Sequence, residues 1–151
     1  METQTDWQET FEFFAQMPIV VEPVDAHLST DAGLLPIRQL DDALGLTEQF
    51  AAALIDPRTG NALTHSYPEM TRSRVYGILA GYEDQNDHDA LRSDPVFKLI
   101  ADRSPEDNDL ASQPTLSRFE NAIGPESLFR LQDVLVDQFI ASFDESPTQL
   151  T

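Results

Sequence analysis

The sequence predicts a mainly α-helical fold, an orthogonal helical bundle preceded by one or two short extended or edge strands. Between residues 34 and 143, apolar residues recur at the spacing of one helix face. Capping residues, prolines and glycines mark the beginnings and ends of these segments. β-branched residues concentrate instead in residues 18–28, where prolines interrupt them and exclude a central strand. We therefore expect an N-terminal segment over residues 1–28 and a helical domain over residues 29–147.

The composition is that of a single globular domain without a membrane span. The 151 residues are 40% hydrophobic, which is enough to form a core, and they include no cysteine. No apolar run approaches the ~18 residues of a transmembrane helix, and the acidic N-terminus does not resemble a signal peptide. These features predict a cytoplasmic protein with no membrane partner, no disulfide bond and no thiolate metal site.

The net charge of −18 limits what the protein can bind, because nine basic residues stand against 27 acidic ones. Neutralisation of phosphates supplies most non-specific affinity for DNA, so a DNA-binding domain usually carries a basic face. This chain has too few cations for a large basic face, and its overall field opposes the approach of DNA. A few arginines remain available for local contacts.

The N-terminal segment begins with an aromatic stretch, Met1–Gln16, whose rings are Trp7, Phe11, Phe13 and Phe14. We expect a short helix that docks these rings on the core, and a peptide that binds a partner protein is the alternative. The next stretch, Pro18–Leu28, is expected to be extended.

The first two helices are predicted to form an αα-hairpin. The stripe of the first helix consists of Leu34, Ile37, Leu40 and Leu44. Gly45 ends this helix and Thr47 caps the second one, so the connection is very short. The inward residues of the second helix are Phe50, Leu54 and Ile55, and Asp56-Pro57 stops it.

A capping box, Ser66 with Glu69, begins the third helix, since each side chain can satisfy a backbone N–H of the other residue. The predicted apolar stripe of this helix consists of Val75, Ile78, Leu79 and Tyr82. Gly77 and Gly81 lie one turn apart and allow a neighbour to approach closely. Gly81 can also end the helix in the left-handed conformation.

Three further helices complete the predicted domain. Asp94-Pro95 supplies a cap and a first-turn proline for a helix with Val96, Phe97, Leu99 and Ile100. Ser104–Asp109 is a polar loop, and Pro114 begins a helix that carries Leu116 and Phe119. Gly124-Pro125 begins the longest helix. Its expected inward residues are Leu128, Leu131, Leu135, Phe139 and Phe143.

The acidic run Glu83–Asp89 has two interpretations, a divalent-metal site or a capped connection between helices. Its spacing does not fit an EF-hand loop, because the sixth position counted from Asp84 is not glycine and the twelfth is Pro95. The other interpretation places an N-cap at Asn86 or Asp87 and pairs an acid of the run with a nearby arginine. The expected members of this structural polar network are Ser66, Glu69, Arg74, Asp84, Asn86, Asp87 and Arg92.

Ala111–Asn121 combines short polar side chains at a helix N-terminus with an arginine one turn later, which is typical of a DNA recognition helix. The candidate DNA-binding residues are Ser112, Gln113, Thr115, Ser117 and Arg118. In the structural alternative, Ser112 only caps the helix, the next two hydroxyls face solvent, and Arg118 pairs with Glu120 or a nearby aspartate.

Arg72 is expected to point outward and to support this surface by binding phosphate, whereas Arg74 lies at the edge of the apolar stripe and is expected to form a structural ion pair. The histidines, His27, His65 and His88, are too scattered for a catalytic or metal cluster, and we interpret each as a surface or capping residue. No nucleophile elbow, P-loop or dinucleotide-binding motif is present.

Several of these motifs together resemble the N-terminal region of bacterial insertion-sequence transposases, the family described as transposase DDE domain group 1. The motifs are LSTDAGLLPIRQLDDALGL, DPRTG, GYEDQND, LRSDP and ASQPTLSRFEN, which follow one another from Leu28 to Asn121. The resemblance implies an enzyme that cuts and joins DNA with two divalent metal ions, Mg in this family, held by three carboxylates.

The resemblance also implies that the first metal-binding carboxylate follows the region that is similar to Leu128–Thr151. We therefore assign no acid of this chain a catalytic or metal-binding role, and we expect residues 148–151 to lead into a catalytic domain. The chain as it stands is expected to have no enzymatic activity and no cofactor.

Two functional hypotheses follow. In the first, the chain is the DNA-end-binding or dimerisation domain of a transposase, with transposon ends, a second copy or a full-length transposase as partners. In the second, it is an acidic protein-interaction or regulatory module that inhibits a transposase or presents a DNA-like surface. Neither hypothesis includes a small-molecule ligand.

Overall fold

The computed structural model describes residues 9–11, 19–21, 28–59 and 63–143, and it confirms a mainly helical fold. The helices are α1 (Leu34–Leu44), α2 (Leu46–Ala53), α3 (Tyr67–Leu79), α4 (His88–Leu91), α5 (Pro95–Ile100), α6 (Gln113–Asn121) and α7 (Pro125–Ala141). A short 3-10 turn, Gln85–Asp87, precedes α4. None of the helices described is long and apolar enough to cross a membrane.

Two three-residue strands, β1 (Glu9–Phe11) and β2 (Ile19–Val21), pair antiparallel. The predicted N-terminal helix is therefore wrong at Glu9–Phe11, where threonine and phenylalanine favour extended backbone opposite a β-branched partner. The remainder of that predicted helix, with Trp7, Phe13 and Phe14, lies outside the described residues.

The predicted αα-hairpin is confirmed, and Gly45 connects its two helices. This glycine has a φ of 65° and donates its N–H to the carbonyl oxygen of Asp41 at 2.7 Å. Thr47 was predicted to cap α2, and this prediction is wrong. Its own N–H is bound instead by the Asp41 carboxylate at 2.9 Å, so the preceding helix caps the next one.

The start and the end of α3 follow the sequence closely. The Ser66 hydroxyl accepts a hydrogen bond from the Glu69 N–H at 3.2 Å, and Gly81 has a φ of 92° just beyond the helix. At α5, the Asp94 carboxylate accepts from the N–H groups of Val96 and Phe97 at 2.8 and 3.0 Å. These caps are local interactions, which is why the spacing of residues predicts them.

Two apolar clusters form the described core. The first surrounds Tyr76, Phe97 and Ile100 and brings α1, α3, α4 and α5 together. The second joins α3 to α6 and consists of Tyr67, Met70, Ala111, Leu116 and Phe119.

Tyr82 of the predicted stripe is half-buried against the first cluster, but the prediction is wrong at Ile78 and Leu79 about the buried face of α3. Its buried residues include Met70, Ser73, Tyr76 and Gly77, because α2, α5 and α6 pack on that side. Ile78 and Leu79 are more than half exposed. Leu79 and Val75 instead line an open apolar cleft of about 120 Å³, whose other apolar wall consists of Ile37, Leu40, Leu44 and Leu46.

The inward face predicted for α7 is also wrong. Leu128, Leu135, Phe139 and Phe143 are exposed, and among the predicted stripe residues only Leu131 is half-buried. Apolar residues cover most of the circumference of α7, but α2 is its main neighbour and covers a narrow strip. The buried residue in that strip is Ser127, whose hydroxyl accepts from the Ile55 N–H at 3.1 Å. Leu99, predicted as inward in α5, is likewise exposed.

Candidate nucleic-acid interface

The helix predicted to contact DNA, α6, begins at the expected place but is capped differently. Ser112 occupies the N-cap position without making a side-chain cap, and its hydroxyl lies 3.2 Å from the Thr115 hydroxyl. The Gln113 N–H at the helix start donates to the Asp89 carboxylate at 3.2 Å. The structural alternative that gave Ser112 a capping side chain is therefore wrong.

Arg118 is exposed and donates to the Thr115 hydroxyl at 3.1 Å. It does not pair with Glu120, one of the partners that the structural alternative offered, because residues two apart lie about 200° apart around a helix. Glu120 instead binds the Arg74 guanidinium and the Gln85 side-chain amide.

Arg118 differs in its pairing from the other eight basic residues of the chain, and all nine basic residues are described. The others each pair with an acid, and they are Arg38, Arg58, Arg72, Arg74, Arg92, Lys98, Arg103 and Arg130. Among the acids in the described ranges, none forms an ion pair with Arg118. Of the two arginines that the sequence proposed for DNA contact, Arg118 is therefore the one without an acidic partner among the described residues.

A cleft of about 400 Å³ opens beside Arg118, between α3 and α6. Its lining comprises Arg58, Tyr67, Met70, Thr115, Arg118, Phe119 and Ala122. The Arg58 guanidinium lies 4.6 Å from the centre of the Tyr67 ring, which also packs edge-on against Phe119 at 4.9 Å. The cleft therefore has a mainly apolar interior with two guanidinium groups in its lining.

The remaining candidates do not all join this surface. Ser112, Thr115 and Arg118 are linked by hydroxyl contacts and lie on one side of α6. Gln113 and Ser117 lie on another side, and the Asn121 amide donates to the Ser117 carbonyl oxygen at 2.8 Å.

Arg72 does not point outward, and its predicted orientation is wrong. Its side chain is 11% exposed, its Nε donates to the Thr47 hydroxyl at 3.2 Å, and its Nη1 binds Asp102. Arg74, two residues further on, faces α6 through Glu120, so Arg72 lies on the opposite side of α3. Arg72 and Arg118 consequently do not form one surface.

The predicted polar network is divided into separate groups. Glu69 does not complete the capping box; it binds Arg103 at 2.7 Å and His65 at 2.5 Å. Asp84, instead of pairing with an arginine, caps the 3-10 turn by accepting from the Asn86 N–H at 2.9 Å.

The other arginines of the predicted network also have unexpected partners. Arg74 binds Glu120 and the carbonyl oxygen of Glu83, the latter at 3.3 Å. Arg92 pairs with Asp109 at 3.3 Å. Asp87, predicted as a cap, precedes α4 without a side-chain cap hydrogen bond.

His88 is buried, which corrects its prediction as a surface or capping residue. Only 2% of the residue is exposed, its ring packs edge-on against Phe97, and its Nε2 lies 3.2 Å from Arg74 Nη1. Burial, reinforced by the nearby Arg74 charge, lowers the pKa of His88 to about 4. His88 is therefore neutral at physiological pH.

Gly77 makes room for His88, as its spacing to Gly81 suggested. A Cβ atom at position 77 would lie 2.8 Å from His88 Nε2 and 3.0 Å from His88 Cε1. His88 belongs to α4, which has only one turn, rather than to a long neighbouring helix. The close approach of a neighbour at Gly77 is nevertheless as predicted.

Gly77→Ala is expected to lower the free energy of unfolding by about 1–2 kcal/mol, because overpacking against a buried ring outweighs the ~1 kcal/mol gain in helix propensity. Chemical denaturation measures the change. Gly33→Ala is the control, since a Cβ there meets nothing within 4 Å. Combining Gly77→Ala with His88→Ala should remove part of the penalty, and strict additivity of the two substitutions would contradict the assigned contact.

A second buried group, centred on Asp41, was not predicted from the sequence. Its carboxylate binds the Thr47 N–H, the Thr47 hydroxyl and, at 3.1 Å, the Tyr76 hydroxyl. A signal was present, because Asp41 follows Leu34 by seven residues and falls on the predicted apolar stripe of α1. An acidic residue on a buried helix face is expected to be an internal carboxylate that accepts hydrogen bonds from buried donors.

No group of three or more His, Asp or Glu side chains in the described part of the chain is arranged to hold a metal ion. The family model described as transposase DDE domain group 1 matches residues 11–151. No match was found among curated proteins or among solved structures. The matched region contains the described helices and nearly the whole chain. This protein therefore belongs to the transposase DDE domain group 1 family.

Proposed function

We propose that this chain acts in DNA transposition as a DNA-end-binding or dimerisation domain, and that it does not carry out strand cutting or joining by itself. Membership of the DDE transposase family implies the role in transposition. The observation that supports DNA binding is Arg118, which stands on α6 without an acidic partner among the described residues. We assign this chain no cofactor and none of its acids a metal-binding role.

In this proposal, α6 lies against a transposon end with Ser112, Thr115 and Arg118 toward the DNA. A guanidinium can bind the O6 and N7 atoms of guanine or a phosphate, and the two hydroxyls suit phosphate oxygens. Thr115 already accepts a hydrogen bond from Arg118, so the hydroxyl also holds the guanidinium in place. Gln113 and Ser117 are secondary candidates because they lie on a different side of α6 from this group.

The charge of the chain sets the expected strength of binding. Eight basic side chains are already neutralised by acids of the chain, and the net charge is −18. We therefore expect few phosphate contacts and a shallow dependence of affinity on salt, with most of the specific contribution concentrated on Arg118.

Arg118→Ala is expected to weaken binding of a transposon-end duplex by about 1–3 kcal/mol if Arg118 contacts a base, and by less, uniformly across sequences, if it contacts phosphate. Fluorescence anisotropy at several salt concentrations measures both quantities. Arg130→Ala is the matched control, because Arg130 is also an exposed arginine but lies on α7 and pairs with Glu126 at 2.7 Å. Equal affinities for the parent and a folded Arg118→Ala variant would contradict a DNA-binding role for α6.

A second candidate function, an acidic protein-interaction or regulatory module, is favoured by the outer face of α7. Its exposed apolar residues are Leu128, Phe129, Leu135, Val136, Phe139, Ile140 and Phe143. Apolar surface of this extent on one helix is typical of a protein-binding face. The same face suits dimerisation with a second copy or docking to a full-length transposase. Failure to bind DNA at low salt, together with binding to a full-length transposase that lowers its activity, would favour this candidate.

A further inference from the structure

Two guanidinium groups from different helices meet at one exposed carboxylate, on the side of α3 away from α6. Arg38 of α1 donates from Nη2 to Asp102 Oδ1 at 2.9 Å, and Arg72 of α3 donates from Nη1 to Asp102 Oδ2. The arginine side chains are largely buried, whereas the Asp102 side chain is 62% exposed. The two cations are thus fixed in the protein, and the anion between them faces solvent.

The arginines are held in place by partners other than Asp102. Arg38 Nε donates to the Ile100 carbonyl oxygen at 3.1 Å, and Arg72 Nε donates to the Thr47 hydroxyl at 3.2 Å. Thr47 is itself bound to the buried Asp41 carboxylate. Each guanidinium group therefore has a hydrogen bond that does not involve the exposed carboxylate, and such anchoring is what a preorganised anion site requires.

The backbone of Asp102 adopts a conformation that normally favours glycine, and hydrogen bonds hold it there. It has a φ of 61° and lies two residues beyond the end of α5, where its N–H donates to the Leu99 carbonyl oxygen at 3.1 Å. The next N–H, that of Arg103, donates to the Lys98 carbonyl oxygen at 2.8 Å. A glycine would end α5 at lower conformational cost, so the carboxylate itself is the reason for an aspartate at this position.

We propose that Arg38 and Arg72 form a phosphate-binding site and that the Asp102 carboxylate occupies it as an internal substitute until a phosphate displaces it. Two phosphate oxygens can take the positions of the two carboxylate oxygens, each facing one guanidinium. Asp42 remains bound to Arg38 Nη1 and lowers the positive charge of the site, so the parent protein binds phosphate weakly. The phosphate is that of a DNA backbone or of a small phosphate compound.

Asp102→Asn tests the proposal, because asparagine tolerates the same backbone conformation and removes the competing charge. Calorimetric titration with inorganic phosphate, against chloride at equal ionic strength, should show phosphate binding about tenfold tighter than in the parent. Asp102→Gly, which removes the whole side chain and relaxes the backbone, should show the same gain. Adding Arg72→Gln to either variant should return the affinity to the parental level or below.

If neither folded variant binds phosphate more tightly than the parent, Asp102 serves only to join α1, α3 and α5, and the proposal is wrong. The same conclusion follows if the gain persists in the variant that also carries Arg72→Gln. A gain that is lost with Arg72→Gln establishes the site.

Binding of a DNA duplex distinguishes between the two sources of the phosphate. In an Arg118→Ala background, which removes the proposed α6 contact, Asp102→Asn should tighten binding of a duplex if the site takes backbone phosphates, and inorganic phosphate should compete. A gain for inorganic phosphate without a gain for the duplex identifies a small phosphate compound as the ligand. Because the background lacks Arg118, the site can fail or succeed independently of the proposed role of α6.

Discussion

Asp41→Ala should lower the free energy of unfolding by about 3 kcal/mol, since it leaves several buried donors without an acceptor. Asp41 is 8% exposed, and its carboxylate serves both the N–H and the hydroxyl of Thr47 as well as the hydroxyl of Tyr76. Burial raises the pKa of Tyr76 well above its ordinary value, so this side chain remains a hydroxyl donor over the accessible pH range.

The same substitution also removes the link between the first two helices and α3. Asp41 caps α2 from within α1, and Thr47 in turn accepts from Arg72 of α3. We therefore expect cooperative loss of stability rather than local fraying. Urea denaturation followed by circular dichroism gives the midpoint and the slope, and an unchanged slope allows the difference in stability to be taken from the midpoints.

Asp42→Ala is the matched control for Asp41→Ala. The two aspartates are adjacent on α1, but Asp42 is exposed and makes a surface ion pair with Arg38, so its removal should cost less than about 1 kcal/mol. Asp41→Asn should fall between the two alanine variants, because an amide keeps one acceptor oxygen and introduces a donor. Equal effects of Asp41→Ala and Asp42→Ala would show that the buried carboxylate does not stabilise the fold.

Acidification from about pH 6.5 to pH 4 should remove about 2–3 kcal/mol of stability through His88. Its pKa is lowered to about 4 in the folded protein by burial and by Arg74, whereas the unfolded chain has the ordinary value near 6.5. The unfolded state therefore binds more protons within this window. Stability from His88 is fully present above pH 6.5 and is lost as the pH falls through the window.

Denaturation midpoints at several pH values between 7 and 4.5 measure this effect, and His88→Gln identifies its source. The variant should be less stable than the parent at pH 7, because the ring that packs against Phe97 is lost, but its stability should change much less with pH. A parental slope in His88→Gln would assign the acid sensitivity to other groups.

Acid sensitivity below this window has a different origin. Burial opposes ionisation of Asp41, but hydrogen bonds from Thr47 and Tyr76 outweigh it and hold its pKa below the ordinary value. A carboxyl with a lowered pKa stabilises the fold above its ordinary value and loses that contribution as the pH falls through the lowered one. The His88 and Asp41 contributions are therefore lost in succession as the pH falls.

The candidate interface could be predicted only in part. The sequence predicted the start of α6 and its buried residues correctly, because proline, serine and the apolar pair Leu116 and Phe119 are local signals. The DNA-binding role of Arg118 stays a prediction. The partners of the arginines could not be predicted in the same way. Arg74 was expected to form an ion pair, but nothing near it in the chain indicates Glu120, 46 residues away.

The sequence by itself determined where several of the helices begin and end, since caps, prolines and left-handed glycines act within a few residues of their own position. Ser66, Gly81 and Asp94 are examples, and the motifs that indicated the family are equally local. Only the tertiary structure decided which helix faces are buried and which charges meet. The pairing of Arg38 with Asp102 spans 64 residues, and the exposure of the α7 stripe depends on how few of the described helices pack against it. Such contacts arise from the relative placement of whole helices, and hydrophobic periodicity marks an apolar face without specifying the neighbour that covers it.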